Sequence, residues 1–270
     1  MNFRFTDKNK KGFISSCLLI ILLPFFLSLF IDLVFKYKLS NSSFFYNSCH
    51  KVWAHRGYHK EFEQNSIKAV KKAIELNAKG IEVDVFFDEV LNDYIISHDY
   101  PYNLKYGKLL TLKELFNSVN NDVYFWLDFK NLKYLDEANI NSAVSRFLQL
   151  TKEHHLKDRV LIESQSANHL KAFSLEGFNT SYWITFNERD GKLNFLIEIY
   201  KLKIKYILEY FSAVSMGYQN YSPILKDSLN SLPILLFTVN EKNILKEFLR
   251  NEYVKVTLSD ENFYTAQYCH

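Results

Sequence analysis

Glycine and proline are scarce, at seven and four of 270 residues, and no Gly/Ser-rich stretch occurs. That composition argues against long flexible linkers, disorder and low-complexity repeats. A large charge of one sign is also missing. The net charge is +3 and the lysines are scattered, with no basic stripe interleaved with aromatics, so nothing favours nucleic acid as a partner. No glycine loop of the phosphate-cradling kind, no nucleophile elbow and no internal repeat is found. Cysteine occurs three times, and Cys17 stands near the start of an apolar stretch instead of after it, so it does not read as a lipoprotein cysteine. What is abundant is apolar: 48% hydrophobic and 17% aromatic residues, enough for one large core. A single domain of roughly 220 residues after an N-terminal segment fits better than two.

That segment is dominated by Phe13 to Phe35, an almost unbroken apolar run whose one charge, Asp32, lies near its end. As a helix the run would span roughly 34 Å, which crosses a bilayer. Arg4, Lys8, Lys10 and Lys11 precede it, and Lys36 and Lys38 follow, so the positive-inside bias puts the N-terminus inside and the rest of the chain outside. The expected division is a cytoplasmic basic segment at 1–12, a transmembrane anchor at 13–35, a linker at 36–50 and a catalytic domain at 51–270, on the extracytoplasmic side. A cleaved signal peptide competes with the anchor, but the run is long for one and no small-x-small site ends it.

From Val52 onward short apolar runs alternate with helical patterns. Ile67, Val70 and Ile74 with Ala69, Ala73 and Leu76 form one helical face, Lys68, Lys71, Lys72 and Glu75 the wet one, and Ser66 can cap the start. Strands are expected at Val52 to His55, Gly80 to Phe86, Tyr94 to Ser97, Tyr124 to Phe129, Val160 to Ser164, Ser181 to Ile184, Ala213 to Met216, Pro233 to Val239 and Lys255 to Leu258. Close to eight strand-helix units predict parallel strands closed into a TIM (β/α)8 barrel, with an open doubly wound sheet as the alternative.

The chemistry gathers in Val52 to Pro101, within Ala54-His55-Arg56-Gly57, Gln64-Asn65-Ser66, Gly80-Ile81-Glu82-Val83-Asp84-Val85 and Ser97-His98-Asp99. Period-two alternation sends Glu82 and Asp84 to one face and Ile81, Val83 and Val85 to the other. Two carboxylates side by side on a buried strand repel and are costly to desolvate, so something compensates them. A divalent cation does so most simply, and hard oxygen ligands suit Mg²⁺ or Ca²⁺; a solvent-bordering strand with an acidic face is the plainer alternative. His55 and His98 flank the pair, Arg56 beside one and Asp99 beside the other, which fits a general acid and base around a phosphate. Taken singly, a strand-end histidine is more often structural. Asp128 and Lys130 repeat the period-two logic and add a third carboxylate and an ammonium, although such a pair also occurs as a surface ion pair. His154-His155 reads as a solvated helix face, and His59 has no legible partner.

The ordered set His-Arg-Gly, a turn ending in Asn-Ser, Gly-x-Glu-x-Asp-Val and His-Asp resembles the glycerophosphodiester phosphodiesterase family. The resemblance continues through Tyr124-Phe125-Trp126-Leu127-Asp128-Phe129-Lys130, Leu161-Ile162-Glu163-Ser164, Phe237-Thr238-Val239-Asn240 and Leu258-Ser259-Asp260, and so covers nearly all of the chain after about residue 50. It implies a barrel phosphodiesterase that cleaves a glycerophosphodiester to an alcohol and glycerol phosphate. On that reading Glu82, Asp84 and Asp128 hold Mg²⁺ or Ca²⁺, Arg56 and Lys130 bind phosphate oxygens, and His55 and His98 act as acid and base. Gln64, Asn65 and Glu163 are accessory. Two departures bear on substrate: Gln64 stands where the family has Glu, and Asp128 where it has Glu in a Leu-Glu-x-Lys strand. The Asp-x-Lys pattern resembles the sphingomyelinase D-like phospholipases, so a lysophospholipase D or sphingomyelinase D-like reaction on a lysolipid is the alternative, and a catalytically inactive barrel with a binding role is another. In a closed barrel Cys49, before the first strand, and Cys269, after the last helix, would lie near the same end, as a disulfide in an exported domain or as two free thiols.

Overall fold

The computed structural model describes residues 7–119 and 122–266, with the side chains of residues 7–21 and 190 outside the description. In chain order the elements are α1 (Asp7–Ser40), β1 (Val52–Ala54), α2 (Ile67–Glu75), β2 (Gly80–Asp88), β3 (Asp93–Ile96), α3 (Leu112–Ser118) and β4 (Tyr124–Phe129). They continue with α4 (Glu137–Glu153), β5 (Val160–Ser164), α5 (Ala167–Leu175), β6 (Asn179–Trp183) and α6 (Lys192–Glu209). Last come β7 (Ala213–Gly217), α7 (Pro223–Ser228), β8 (Ile234–Phe237), α8 (Lys242–Leu249) and β9 (Val254–Ser259). Helix starts follow the sequence: the Ser66 hydroxyl accepts from the Ala69 amide, and Thr111 with Glu114 forms a reciprocal capping box.

All strands but β3 run parallel, in the order β1-β9-β8-β7-β6-β5-β4-β2. Pairing of Ala54 with Ile81 joins β1 to β2 and closes the ring, which removes the edges that an open doubly wound sheet would keep. The antiparallel β3 pairs with the far half of β2, from Val85 with Ile96 to Asp88 with Asp93, and hands the chain back to the open end of the barrel.

Strands of such a barrel are buried on both faces. Inside, Trp53, Trp126, Leu161, Ala213, Leu235 and Val256 form an apolar plug. Outside, Ile81, Val83, Val85, Phe125, Leu127, Val160 and Ile162 join the larger core beneath the helices. Gly80 is needed where β1 and β2 pass, since a Cβ there would stand 2.0 Å from Trp53 Cδ2.

At α1 the structure redraws the expected boundary. Phe35 and Leu39 are buried against α6, Asp32 Oδ1 pairs with Lys203 Nζ at 2.6 Å, and Lys38 donates to the Ile207 carbonyl at 2.7 Å. The last third of the expected 13–35 span is therefore docked on the barrel, because its one carboxylate and its aromatic end find partners there. Among the described residues no helix is long and apolar enough to cross a membrane; the side chains of 13–21, in the first half of the expected span, are outside the description. Cys49 is disulfide-bonded; its expected partner Cys269 lies outside the described residues. His154 also departs from expectation: it is half-buried, its ring 5.7 Å from that of Phe116.

Candidate active site

Strand register assembles the centre of the site. Asp84 on β2 lies opposite Asp128 on β4, and Asp128 lies opposite Glu163 on β5. With Glu82 two residues before Asp84 on the same face, the carboxylates converge inside the C-terminal end of the barrel. Glu82, Asp84 and Asp128 each bring an oxygen within 4.8 Å of the others.

Two loops complete it. After β1 the backbone turns through positive φ at Arg56 and Gly57, where a Cβ on Gly57 would lie 2.6 Å from the Ala69 backbone. The turn aims the Arg56 amide at Glu82 Oε2, 2.9 Å away, and brings Arg56 Nε to 3.1 Å from Asp84 Oδ2. Gln64 accepts a hydrogen bond from Arg56 Nη1 at 3.0 Å, and Glu63 turns away to pair with Lys105 at 3.0 Å. Asn65, also at positive φ, donates to Asp84 Oδ2 at 2.6 Å and accepts from the Asp84 amide at 3.1 Å. Lys130 Nζ is 2.6 Å from Asp84 Oδ1 and contacts Asp128 as well.

The electrostatics are those of a site short of positive charge. Burial pushes Glu82 well above the usual carboxylate range, and Asp84 and Asp128 push it further. Burial also raises Asp128, with Asp84 adding to it against the pull of Lys130. Burial would lift Asp84 too, but Lys130, Arg56 and the Asn65 amide outweigh it and hold Asp84 low. Glu163, buried and receiving a hydrogen bond from Trp126 Nε1 at 2.9 Å, is pushed up to about 8 by burial first and Asp128 second. Fully ionised, the three carboxylates would outnumber Arg56 and Lys130 by one charge, and the upward push on Glu82 and Asp128 reflects that shortage. An all-oxygen set of this kind fits a hard divalent cation such as Mg²⁺ or Ca²⁺. In the structure described, Lys130 is the cation that bridges Asp84 and Asp128.

His55, just beyond β1, points Nε2 to 3.8 Å from Glu82 Oε2, and its Nδ1 meets Asp260 Oδ1 at 2.7 Å. The carboxylate fixes the proton on Nδ1 and leaves Nε2 facing the site. Asp260 is anchored in turn by Asn240 Nδ2 at 2.7 Å, with His59 Nε2 at 3.5 Å. Burial alone would raise Asp260, but the hydrogen bonds from His55 and Asn240 bring it down to about 2. His98 stands on the rim, half-exposed, with Nδ1 on Asp99 Oδ1 at 2.8 Å; the amide of Ser97 bonds the Asp84 carbonyl at 3.1 Å and so ties that rim to β2.

The expected residues Glu82, Asp84, Asp128, Arg56, Lys130, Gln64, Asn65 and Glu163 are thus brought together, with His55 against them and His98 at the edge. Sequence reasoning gave no role to Asp260, His59 or Asn240. The signal for Asp260 was its place straight after a strand, but the strand beside it, β1, is some 200 residues away and becomes its neighbour only when the ring closes.

No family model matches the chain, and none of the curated proteins does. Solved structures do. Glycerophosphodiester phosphodiesterases from Thermotoga maritima and Parabacteroides distasonis superpose with TM-scores of 0.58 and 0.59 at 22% and 20% identity, covering 78% and 79% of this chain and 95% and 94% of theirs. An Oleispira antarctica phosphodiesterase, solved in complex with the product sn-glycerol-3-phosphate, matches with a TM-score of 0.58 at 16% identity over 78% of this chain and 92% of its own. At these identities the likeness establishes the fold: the chain is built as the solved glycerophosphodiester phosphodiesterases are.

Proposed function

We propose that this chain is a divalent-metal-dependent phosphodiesterase that hydrolyses a glycerophosphodiester to an alcohol and glycerol phosphate. The observation that carries the reading is the meeting of Glu82, Asp84 and Asp128 at the open end of the barrel, with Arg56, Lys130 and an Asp260-oriented His55 facing the same space. The glycerol phosphate bound to the Oleispira phosphodiesterase agrees with it.

Glu82, Asp84 and Asp128 would hold Mg²⁺ or Ca²⁺, which when bound withdraws charge from the phosphoryl group and steadies the transition state. Arg56 and Lys130 bind phosphate oxygens, Lys130 by turning from the carboxylates to the substrate. His55 Nε2 takes the proton of the attacking oxygen, from water or from the neighbouring glycerol hydroxyl; in the second case departure of the alcohol leaves a cyclic phosphate, which a water then opens to glycerol phosphate. As that oxygen bonds to phosphorus, the bond to the leaving alcohol breaks, and His98 on the rim gives that alcohol its proton. A divalent metal on the carboxylates would release Arg56 and Lys130 to the phosphate, and phosphate on those cations would free the carboxylates for the metal, so either ligand should strengthen the other.

The anchor belongs to the same proposal. Leu23, Phe26, Phe30 and Leu33 on α1 are exposed, 60% or more in each case, which is unusual for a helix in water. We place α1 in a membrane and the barrel on its extracytoplasmic side, where a disulfide at Cys49 would persist. The test is a panel of phosphodiesters assayed on the purified full chain with Mg²⁺, with Ca²⁺ and in excess EDTA. Turnover that needs metal is expected. Full activity in EDTA contradicts the mechanism, and no turnover together with no divalent binding by calorimetry contradicts the function.

A further inference from the structure

Successive contacts between α1 and α6 climb both helices in the same direction. Pro24 and Phe25 share an apolar groove with Leu196 and Ile197, Asp32 meets Tyr200 and Lys203, Phe35 packs edge-on against Tyr206 at 5.1 Å, and Lys38 reaches Ile207. The helices are therefore parallel. Helix α6 follows β6, so it starts at the end of the barrel where the site opens and runs back toward the base. The start of α6 at Lys192 is level with about residue 20 of α1, and the preceding part of α1 continues past it for about 20 Å on the side of the mouth. The sequence of that part from Phe13 to Ile21 carries no charge.

The same end of the molecule carries exposed apolar and aromatic side chains on its loops. Val90 lies between β2 and β3, Tyr100 and Tyr106 between β3 and α3, Tyr134 between β4 and α4, and Leu193 opens α6. Val90 is 94% exposed and Tyr134 75%. Tyrosines among aliphatic residues, beside a helix apolar on its free faces, suit the boundary of a bilayer, where the rings sit at headgroup level. A second protein would need α1 itself covered, and the uncharged stretch from Phe13 to Ile31 is better matched by lipid.

We propose that α1 holds the open end of the barrel against a lipid bilayer, so that the phosphodiester delivered to Glu82, Asp84 and Asp128 is a lysophospholipid-type diester whose acyl chain stays in the membrane. The orientation stands on α1, α6 and the mouth loops; the chemistry rests on the phosphodiesterase reading above. Two measurements on the full chain in phosphatidylcholine vesicles separate them. First, an environment-sensitive fluorophore on an unnatural amino acid is placed at position 106 or 193, at the mouth, or at 175, at the base. Brominated acyl chains are expected to quench it at 106 and 193 and to leave 175 unchanged; quenching at 175 alone, or at none of the three, overturns the orientation. Second, turnover of lysophosphatidylcholine held in the vesicles is compared with that of water-soluble glycerophosphocholine. The variant Tyr106→Asp/Leu193→Asp is expected to lower the first by about tenfold and leave the second as it was. Equal loss on both substrates, or loss on neither, overturns membrane delivery. If the unaltered chain cleaves neither diester, the phosphodiesterase reading falls, and the quenching pattern still decides the orientation.

Discussion

Asp260 shows how much of this site depends on a residue that touches none of the three clustered carboxylates. Its carboxylate, brought down to about 2 by hydrogen bonds from His55 and Asn240 against the effect of burial, stays charged at every working pH. On the proposed mechanism its task is to fix which nitrogen of His55 faces the site, through the 2.7 Å contact with Nδ1. Asp260→Asn should leave divalent binding intact by calorimetry and lower kcat by about 100-fold or more, because the amide no longer enforces the tautomer. An unchanged kcat would remove Asp260 from the mechanism. Glu163 gives a prediction of opposite sign. Its pKa rises from 4.5 unfolded to about 8 folded, chiefly through burial and then through Asp128. The folded state therefore holds the proton more tightly, and without metal the stability contributed at low pH is lost progressively as pH climbs from 4.5 toward 8. Glu82 adds to the same slope. Thermal melts in EDTA should show Tm falling over that range, and Glu163→Gln should flatten part of the fall. Divalent metal should reverse it and bind more tightly as pH rises, with protons released.

At the level of single elements, β2 was the most legible, because its information is local. Alternation alone put Glu82 and Asp84 on one face, and the structure places both inside the barrel with Ile81, Val83 and Val85 in the helix-covered core. The Ser66 cap and the amphipathic α2 were readable for the same reason. What stayed hidden depends on distance along the chain: the level match of Asp84, Asp128 and Glu163 is set by register between three strands, and the His55 to Asp260 bond by closure of β1 on β9. The docking of α1 was masked by its own composition, since an apolar run looks alike whether its neighbour is lipid or α6; the contacts of Asp32 with Lys203, Phe35 with Tyr206 and Lys38 with Ile207 are what mark its last part as docked. Gly80 offers a test of the closure. A Cβ 2.0 Å from Trp53 would have to be accommodated inside the apolar plug, where little can yield. Gly80→Ala should cost about 1–3 kcal/mol by denaturant titration, with the pairing of β1 and β2 the first to loosen. A neutral substitution would mean that the ring is less tightly shut than the register implies.

Taken whole, the molecule has its two ends doing different work. The open end concentrates carboxylates and cations, and the base is sealed by Trp53, Trp126 and their neighbours, with Tyr46 packed edge-on against Trp53 at 4.9 Å. Tyr46 belongs to the segment that leads from α1 to β1, and so does the disulfide-bonded Cys49. A partner at Cys269 would join the beginning of the barrel to the end of the chain, closing a loop of roughly 220 residues and stabilising the fold by about 5 kcal/mol through the unfolded state. Non-reducing mass spectrometry of the full chain should yield a single linked peptide containing Cys49 and Cys269, and reduction should lower Tm without changing the metal requirement. A Cys17 to Cys49 peptide would contradict the anchor, since Cys17 would then be held near β1 when it should lie in lipid. Two free thiols at Cys49 and Cys269 in protein recovered from its own membranes would remove the disulfide's support for an extracytoplasmic barrel.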